Sequence, residues 1–248
     1  MQEITFINLS KEKSKDLHFD IFENAKNLKS DSSLLVKKNA SYSSASSLLI
    51  LSSEEVIKAI LVLLHSHGYR VYLLKDAKEF FKNHEIRHSL QMLIETGMSL
   101  FETVDKWESR KLKKQPPKTS RKWLNNTLQF LSDAAFVLSN VSTAMSRVEG
   151  IIKFNDLKNS GFYVDYKNEI LIPKETVVQE DYNSILDTSN RLIIFYKQLR
   201  IIFHPSITKH LSKDKVEEVK NGLHVFINDA LKDFSFREIR GRDVPKPQ

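Results

Sequence analysis

Two short stretches of the sequence carry side chains that could do chemistry. The first is FFKNHEIRHSL, residues 80–90, where His84, Glu85 and His88 spell H-E-x-x-H. On a helix the two histidines share one face at i and i+4, the spacing that lets two imidazoles bind one zinc ion, with Glu85 as general base. A zinc-dependent hydrolase is therefore one hypothesis. Against it, Arg87 brings a cation next to the metal, and no clear third ligand follows.

The second stretch is SSEEVIKA, residues 52–59. Lys58 lies four positions after Glu54 and three after Glu55, and both spacings let opposite charges meet on a helix surface. The flanking residues are so apolar that little of this helix can face solvent. Charges in such a setting need partners, or their pKa values shift. We expect Glu54 or Glu55 to face Arg87 and an imidazole, which describes a structural ion-pair network and an active site equally well.

Long helices must position both stretches, because the 248 residues include only 6 Gly and 6 Pro to interrupt helical periodicity. The apolar spacing predicts helices over residues 15–39, 42–67, 74–108, 120–149, 174–203 and 212–231, with breaks at Gly68 and Pro205. Residues 159–174 alternate apolar and polar side chains around a turn-like Lys167-Asn168, which favours a small hairpin. The sequence predicts an all-α fold with one extended insertion.

Composition excludes several classes of protein. Without cysteine there can be no disulfide, thiolate metal site or cysteine nucleophile, which favours the cytoplasm. The N-terminus lacks the continuous apolar segment of a signal peptide. Residues 48–64 are apolar, but Glu54, Glu55 and Lys58 lie among them, and each central charge costs about 2.5 to 3.5 kcal/mol in a membrane. We expect a buried helix and no membrane span.

The net charge of +7 makes a polyanionic partner possible. The positive charge concentrates in a loop around two prolines, which contains no acidic residue. That loop is either a solvated connection between helices or a phosphate-facing surface. Its candidate nucleic-acid-binding residues are Arg110, Lys111, Lys113, Lys114, Lys118, Arg121 and Lys122.

Three motifs occur in a fixed order along the chain. They are E-E-x-x-K at residues 54–58, F-x-x-H-x-x-[KR] at residues 81–87 and G-[LF]-Y-V-D at residues 161–165. In this ordered set the chain resembles the AbiV-type abortive infection proteins of bacteria, which belong to the HEPN superfamily, over most of residues 20–200. The resemblance implies a HEPN-like helical bundle with the extended insertion near residues 159–174. We expect an N-terminal extension at 1–14, one helical domain at 15–235 with the basic loop at 109–122, and a flexible tail at 236–248.

The resemblance also implies a function. Such proteins act in anti-phage abortive infection, as toxins that arrest growth or translation of the infected cell. Many HEPN proteins are dimeric, metal-independent ribonucleases with an R-x(4-6)-H motif, whereas no arginine here has a histidine five to seven positions later; Arg200 and His204 are only four apart. We therefore expect a homodimer that needs no cofactor, with RNA or the ribosome and a phage-encoded activator as partners. An apolar helix such as residues 48–64 also needs cover on nearly every side.

If RNA cleavage occurs, the predicted cluster is the candidate active site. Cleavage needs a base for the ribose 2′-OH, an acid for the leaving oxygen and a cation at the phosphate. The candidate catalytic residues are His84 or His88 as base, Glu55 with its neighbour Glu54 as acid and carboxylate partner, and Lys58 or Arg87 as cation. The alternative is a non-catalytic helical interaction protein that binds a phage activator or the translation machinery. In that case SGFYVDY, residues 160–166, would be an exposed docking element rather than a core strand.

Overall fold

The computed structural model describes residues 3–84, 86–94, 156–225 and 227–228. Helices predominate. They are α1 (Lys11–Asn39), α2 (Tyr42–Ser66), α3 (Ala77–Phe80), α4 (Pro173–Thr176), α5 (Gln179–Phe203) and α6 (Lys213–Val225), with short 3-10 helices at Phe6–Asn8, Val71–Leu73 and Pro205–Lys209. Residues 86–94 and 156–160 are also helical. Two strands, β1 (Asp165–Lys167) and β2 (Glu169–Leu171), form the hairpin. The predicted all-α fold is confirmed.

Helices α1 and α2 form an antiparallel pair. Ser10 caps α1 by accepting a hydrogen bond from the Lys13 amide, so the helix starts inside the segment expected to be an extension. At its end Ala40 takes a left-handed conformation (φ 47°), which reverses the chain within two residues. Ser32 and Ser52 then donate hydrogen bonds across the pair to backbone oxygens of the facing helix. The serines of both helices thereby allow close packing.

Helix α2 is the centre of the fold and packs against both α1 and α5. Its first half is rich in buried serine and alanine, which let neighbouring backbones approach closely. Its second half, residues 56–64, is almost entirely aliphatic and enters the main hydrophobic core. In that core Phe22 of α1 stacks on Tyr196 of α5 at 4.2 Å between ring centroids. Glu54 lies where the two halves of α2 meet.

The continuous helix predicted from residue 74 is wrong at its start. Helix α3 ends at Phe80, turn residues follow, and a helix resumes near His84. At the break, Phe81 stacks on Phe6 of the N-terminal segment at 4.7 Å between ring centroids. The Asn83 oxygen accepts from the Arg87 amide, which starts the next helical turn. Residues 86–94 continue this helix as predicted, whereas residues 95–108, the helix at 120–149, the basic loop and the tail lie outside the described residues.

The hairpin is confirmed within the predicted interval. Strands β1 and β2 pair antiparallel with Tyr166 opposite Ile170, and Asn168 between them takes a left-handed conformation (φ 65°) that asparagine tolerates well. The predicted break at Pro205 also occurs, because α5 ends two residues earlier. Among the described helices, none has the length and apolar character required to span a bilayer.

Candidate functional site

One buried carboxylate gathers four basic side chains. Glu54 is 2% exposed. Its Oε2 lies 2.5 Å from His84 Nδ1 and 2.9 Å from Arg87 Nη2. Its Oε1 lies 3.3 Å from Lys158 Nζ and 3.4 Å from His88 Nε2, the latter longer than a good hydrogen bond. We call these five residues the Glu54 cluster.

The break after α3 positions the cluster. By starting a new helix near His84, it presents His84, Arg87 and His88 toward α2 from one helical face. The Arg87 Nη1 also donates to the backbone oxygen of Phe80 at 3.1 Å, at the end of α3. Because its guanidinium bonds both to Phe80 and to Glu54, Arg87 holds the two sides of the break together.

Lys158 reaches the cluster through close backbone packing on α2. The Ser47 hydroxyl donates to the Lys158 backbone oxygen at 2.9 Å. Gly161 lies so close to α2 that a Cβ there would be 2.2 Å from Ser47 Oγ and 2.6 Å from the Ser43 oxygen. Only glycine fits without displacing backbone. This contact explains both the glycine of the third motif and the small residues at the start of α2.

The charge state of the cluster follows from its contacts. Burial by itself would raise the pKa of Glu54, but the contact with His88 and the charges of Arg87, Lys158 and His84 outweigh it and hold that pKa well below its ordinary range. Glu54 is therefore ionised and acts as an acceptor only. Because ionised Glu54 can only accept, its short contact with His84 requires a hydrogen on Nδ1; the Arg87 guanidinium, which lies 2.8 Å from the same nitrogen, donates to Glu54 instead. In neutral His84 this leaves the lone pair on Nε2.

His84 connects the buried cluster to an open cleft. Its side chain is 48% exposed, whereas those of Arg87 and His88 are about 5% exposed or less. The cleft has a volume of about 730 Å³, within the usual range for ligand pockets. Its wall includes His84, Lys158, Lys82, Asn159, Phe162 and Tyr163. His84 and Lys158 thus belong both to the Glu54 cluster and to a surface that a ligand can reach.

The family model of AbiV, in the HEPN superfamily, matches residues 13–194. The chain belongs to the AbiV family. All three motifs and the whole Glu54 cluster lie inside the matched region. This AbiV-family chain matches no curated protein and no solved structure. The resemblance inferred from the ordered motifs is confirmed.

The structure brings together four of the six predicted catalytic residues of this AbiV protein. Glu54, His84, Arg87 and His88 converge, while Glu55 forms an ion pair with Lys58 on the same helix. Glu55 and Lys58 have side chains about one-fifth exposed. Glu85 and the seven basic residues Arg110, Lys111, Lys113, Lys114, Lys118, Arg121 and Lys122 lie outside the described residues.

Sequence reasoning missed Lys158, which contacts Glu54 from 104 positions away. The available signal was its place three residues before the glycine of the third motif.

The electrostatics favour a hydrogen-bonded cluster over the zinc hypothesis. Both histidines of H-E-x-x-H approach the carboxylate of Glu54, one at each oxygen. The cationic side chains of Arg87 and Lys158 lie beside the same carboxylate and would repel a metal cation. Within the described ranges, no group of three or more His, Asp or Glu side chains is arranged to hold a metal ion. The cluster presents two basic side chains, His84 and Lys158, to the cleft.

Proposed function

We propose that this protein is a toxin of anti-phage abortive infection that arrests growth or translation of the infected cell by cleaving RNA without a metal. Membership of the AbiV family makes it an abortive infection protein of the HEPN superfamily. One observation supports the chemistry above all: half-exposed His84 is held by buried, ionised Glu54 at the edge of a cleft. A carboxylate behind an imidazole is a common way to orient a general base.

The proposed reaction begins at the ribose 2′-OH. His84 Nε2 takes its proton, the 2′-oxygen attacks the adjacent phosphorus, and the bond from phosphorus to the 5′-oxygen breaks. The leaving 5′-oxygen takes a proton from water in the open cleft, and His84 returns its proton to solvent. The products are a 2′,3′-cyclic phosphate and a 5′-hydroxyl. General-base catalysis of this kind contributes about 10² to 10⁴ in rate, and Glu54 supports it by stabilising the imidazolium of His84.

The negative charge that develops on the phosphate needs a cation. Lys158 lines the cleft and is fixed by Glu54, so it is our candidate for this role. Arg87 is 3% exposed and orients Glu54 from inside. His88, also buried, contributes to the charge balance. The roles predicted for Glu55 and Lys58 stay predictions, because the proposed steps do not use them.

We further propose that the protein works as a cytoplasmic homodimer that responds to a phage-encoded activator and acts on RNA or the ribosome. Family membership is the main support. Exposed apolar side chains on the outer surface of α1 and α5 are compatible with a partner copy. Phe19 is 42% exposed, Ile194 49% and Ile201 47%. Sedimentation that shows only monomer would contradict the dimer.

The test is incubation of purified protein with total RNA, with and without EDTA. We expect cleavage that persists in EDTA. Cleavage lost in EDTA and restored by zinc would instead support the zinc-dependent hydrolase. No cleavage in either condition would favour the non-catalytic alternative.

The exposed hairpin supports the non-catalytic alternative. The side chains of Tyr163, Tyr166 and Ile170 are 69%, 72% and 60% exposed, so the SGFYVDY segment is no core strand. Exposed apolar side chains on a hairpin could bind a protein partner. Loss of toxicity in Tyr166→Ala, with RNA cleavage unchanged, would support such docking.

A further inference from the structure

We propose that Tyr163 stacks on an unpaired base of the RNA and thereby sets which phosphodiester lies against His84. This inference rests on the proposed function and names a specificity-determining residue for it. Tyr163 is 69% exposed, and together with Phe162 it forms part of the cleft wall that also holds His84 and Lys158. Two adjacent exposed aromatic side chains in one cleft wall form an apolar surface that a ligand can contact.

The geometry of the two rings suits stacking. Phe162 and Tyr163 meet edge to face, with centroids 6.5 Å apart and planes at 68°. Phe162 is 44% exposed and so is more covered than its neighbour. Phe162 thus packs beside Tyr163, and at 69% exposure most of the Tyr163 side chain remains accessible to a ligand. Protein aromatic rings bind unpaired bases in this way and tolerate many sequences, because every base has a π-face.

The remaining wall favours a nucleotide over an apolar peptide. Lys82 and Lys158 supply two cations and Glu79 one acidic group. Asn159 adds an amide that can hydrogen-bond to a base or sugar. Cations beside an exposed aromatic ring are the combination found in grooves that bind single-stranded nucleic acid.

The backbone fixes the distance between the base site and the phosphate site. The Phe162 and Tyr163 amides donate to the Asn159 oxygen at 3.1 and 3.0 Å, and Gly161 packs directly against α2. Lys158, which contacts Glu54, therefore lies one tight turn away from Tyr163. A base on Tyr163 would place its neighbouring phosphate at a set position relative to Lys158 and His84.

The test is a double-mutant cycle on binding, which does not depend on cleavage. The probe is a six-nucleotide 2′-O-methyl RNA, which cannot be cleaved, compared with an abasic hexamer of the same backbone. We expect Tyr163→Ala to weaken binding of the hexamer with bases about 5- to 150-fold, because stacking contributes about 1 to 3 kcal/mol per base. The same substitution should leave binding of the abasic hexamer unchanged. Tyr163→Trp should bind the hexamer with bases at least as well as the wild type.

Tyr166→Ala is the matched control, since Tyr166 is equally exposed on the same segment but lies outside the cleft wall. It should bind both hexamers like the wild type. Equal effects of Tyr163→Ala on both hexamers, wild-type binding by Tyr163→Ala, or no binding by the wild type would each overturn the proposal.

RNA cleavage and base stacking on Tyr163 can be tested separately. Base-dependent binding through Tyr163 without any RNA cleavage would contradict the ribonuclease and keep the stacking site. EDTA-resistant cleavage with no effect of Tyr163→Ala on binding would support the ribonuclease and contradict the stacking site.

Discussion

His18 and His84 show two ways to use a histidine beside the core of one helical protein. His18, on α1, is 4% exposed, and its Nδ1 lies 2.7 Å from the Tyr196 hydroxyl. Burial, with the nearby positive charges of Arg200 and His67, lowers the pKa of His18 to about 4. His18 is thus a neutral hydrogen-bonding member of the interior at physiological pH.

His84 has the opposite setting. Its partner is an ionised carboxylate, and its ring opens onto a cleft, whereas the ring of His18 lies against Phe19 and Tyr196. The difference shows that burial alone does not mark a reactive histidine. What matters is a buried charge behind the ring combined with access in front of it. Substitution of His18 should therefore change stability, and substitution of His84 should change activity.

The largest expected effect is that of Glu54→Gln. The substitution keeps the shape but leaves Arg87 and Lys158 without a counter-charge, and such a loss typically costs about 3 to 5 kcal/mol. Urea unfolding measures it. Glu55→Gln is the matched control, because it removes a partly exposed pair worth about 1 kcal/mol or less. Equal losses in the two variants would refute the central role of Glu54.

His18→Ala should reduce stability but not activity. It leaves the Tyr196 hydroxyl without its imidazole partner and opens space in the core, which we expect to cost about 2 to 3 kcal/mol. Thermal unfolding and RNA cleavage would be measured on the same preparation. A His18→Ala variant that folds normally yet has lost cleavage would contradict the claim that His18 affects only stability.

Lys158→Gln should mainly affect activity. Removing the cation at the phosphate position should slow cleavage about 10- to 100-fold, since electrostatic groups of this type contribute strongly to phosphoryl chemistry. Lys167→Gln, on the exposed hairpin, is the control and should cleave like the wild type. An unchanged rate in Lys158→Gln would remove Lys158 from the mechanism.

The last prediction concerns the dependence of stability on pH. Because the pKa of folded His18 is lowered from 6.5 to about 4, the unfolded chain binds a proton below pH 6.5 that the folded chain does not. Stability should therefore fall from pH 6.5 toward pH 4. The pKa of Glu54 is also lowered, so its stabilising contribution is present above the unfolded pKa and is lost only at still lower pH. In His18→Phe the loss of stability between pH 6.5 and pH 4 should be smaller than in the wild type, as measured by urea unfolding at several pH values. A loss identical to that of the wild type would show that other groups cause it.

Local patterns predicted much of this arrangement. Helix α2 followed from continuous apolar residues ending at Gly68, and the hairpin followed from alternation around Lys167-Asn168. The pairing of Glu54 with Arg87 followed from the cost of an isolated buried charge. The break after Phe80 was not predicted from periodicity; it coincides with packing of Phe81 against Phe6, which is distant in sequence.

Lys158 could not be placed for a similar reason. Its contact joins parts of the chain that are far apart in sequence, and only packing of Gly161 on the serines of α2 brings them together. Periodicity describes one element at a time. It contains no information on which distant segment packs against a run of small residues.

The most direct test of the central claim is the initial rate of RNA cleavage in EDTA by His84→Ala compared with His18→Ala. We predict that His84→Ala, folded normally by circular dichroism, loses at least about 10² in rate. His18→Ala should cleave like the wild type under conditions where it is folded, and the products should end in a 2′,3′-cyclic phosphate. Wild-type cleavage by His84→Ala would contradict the account.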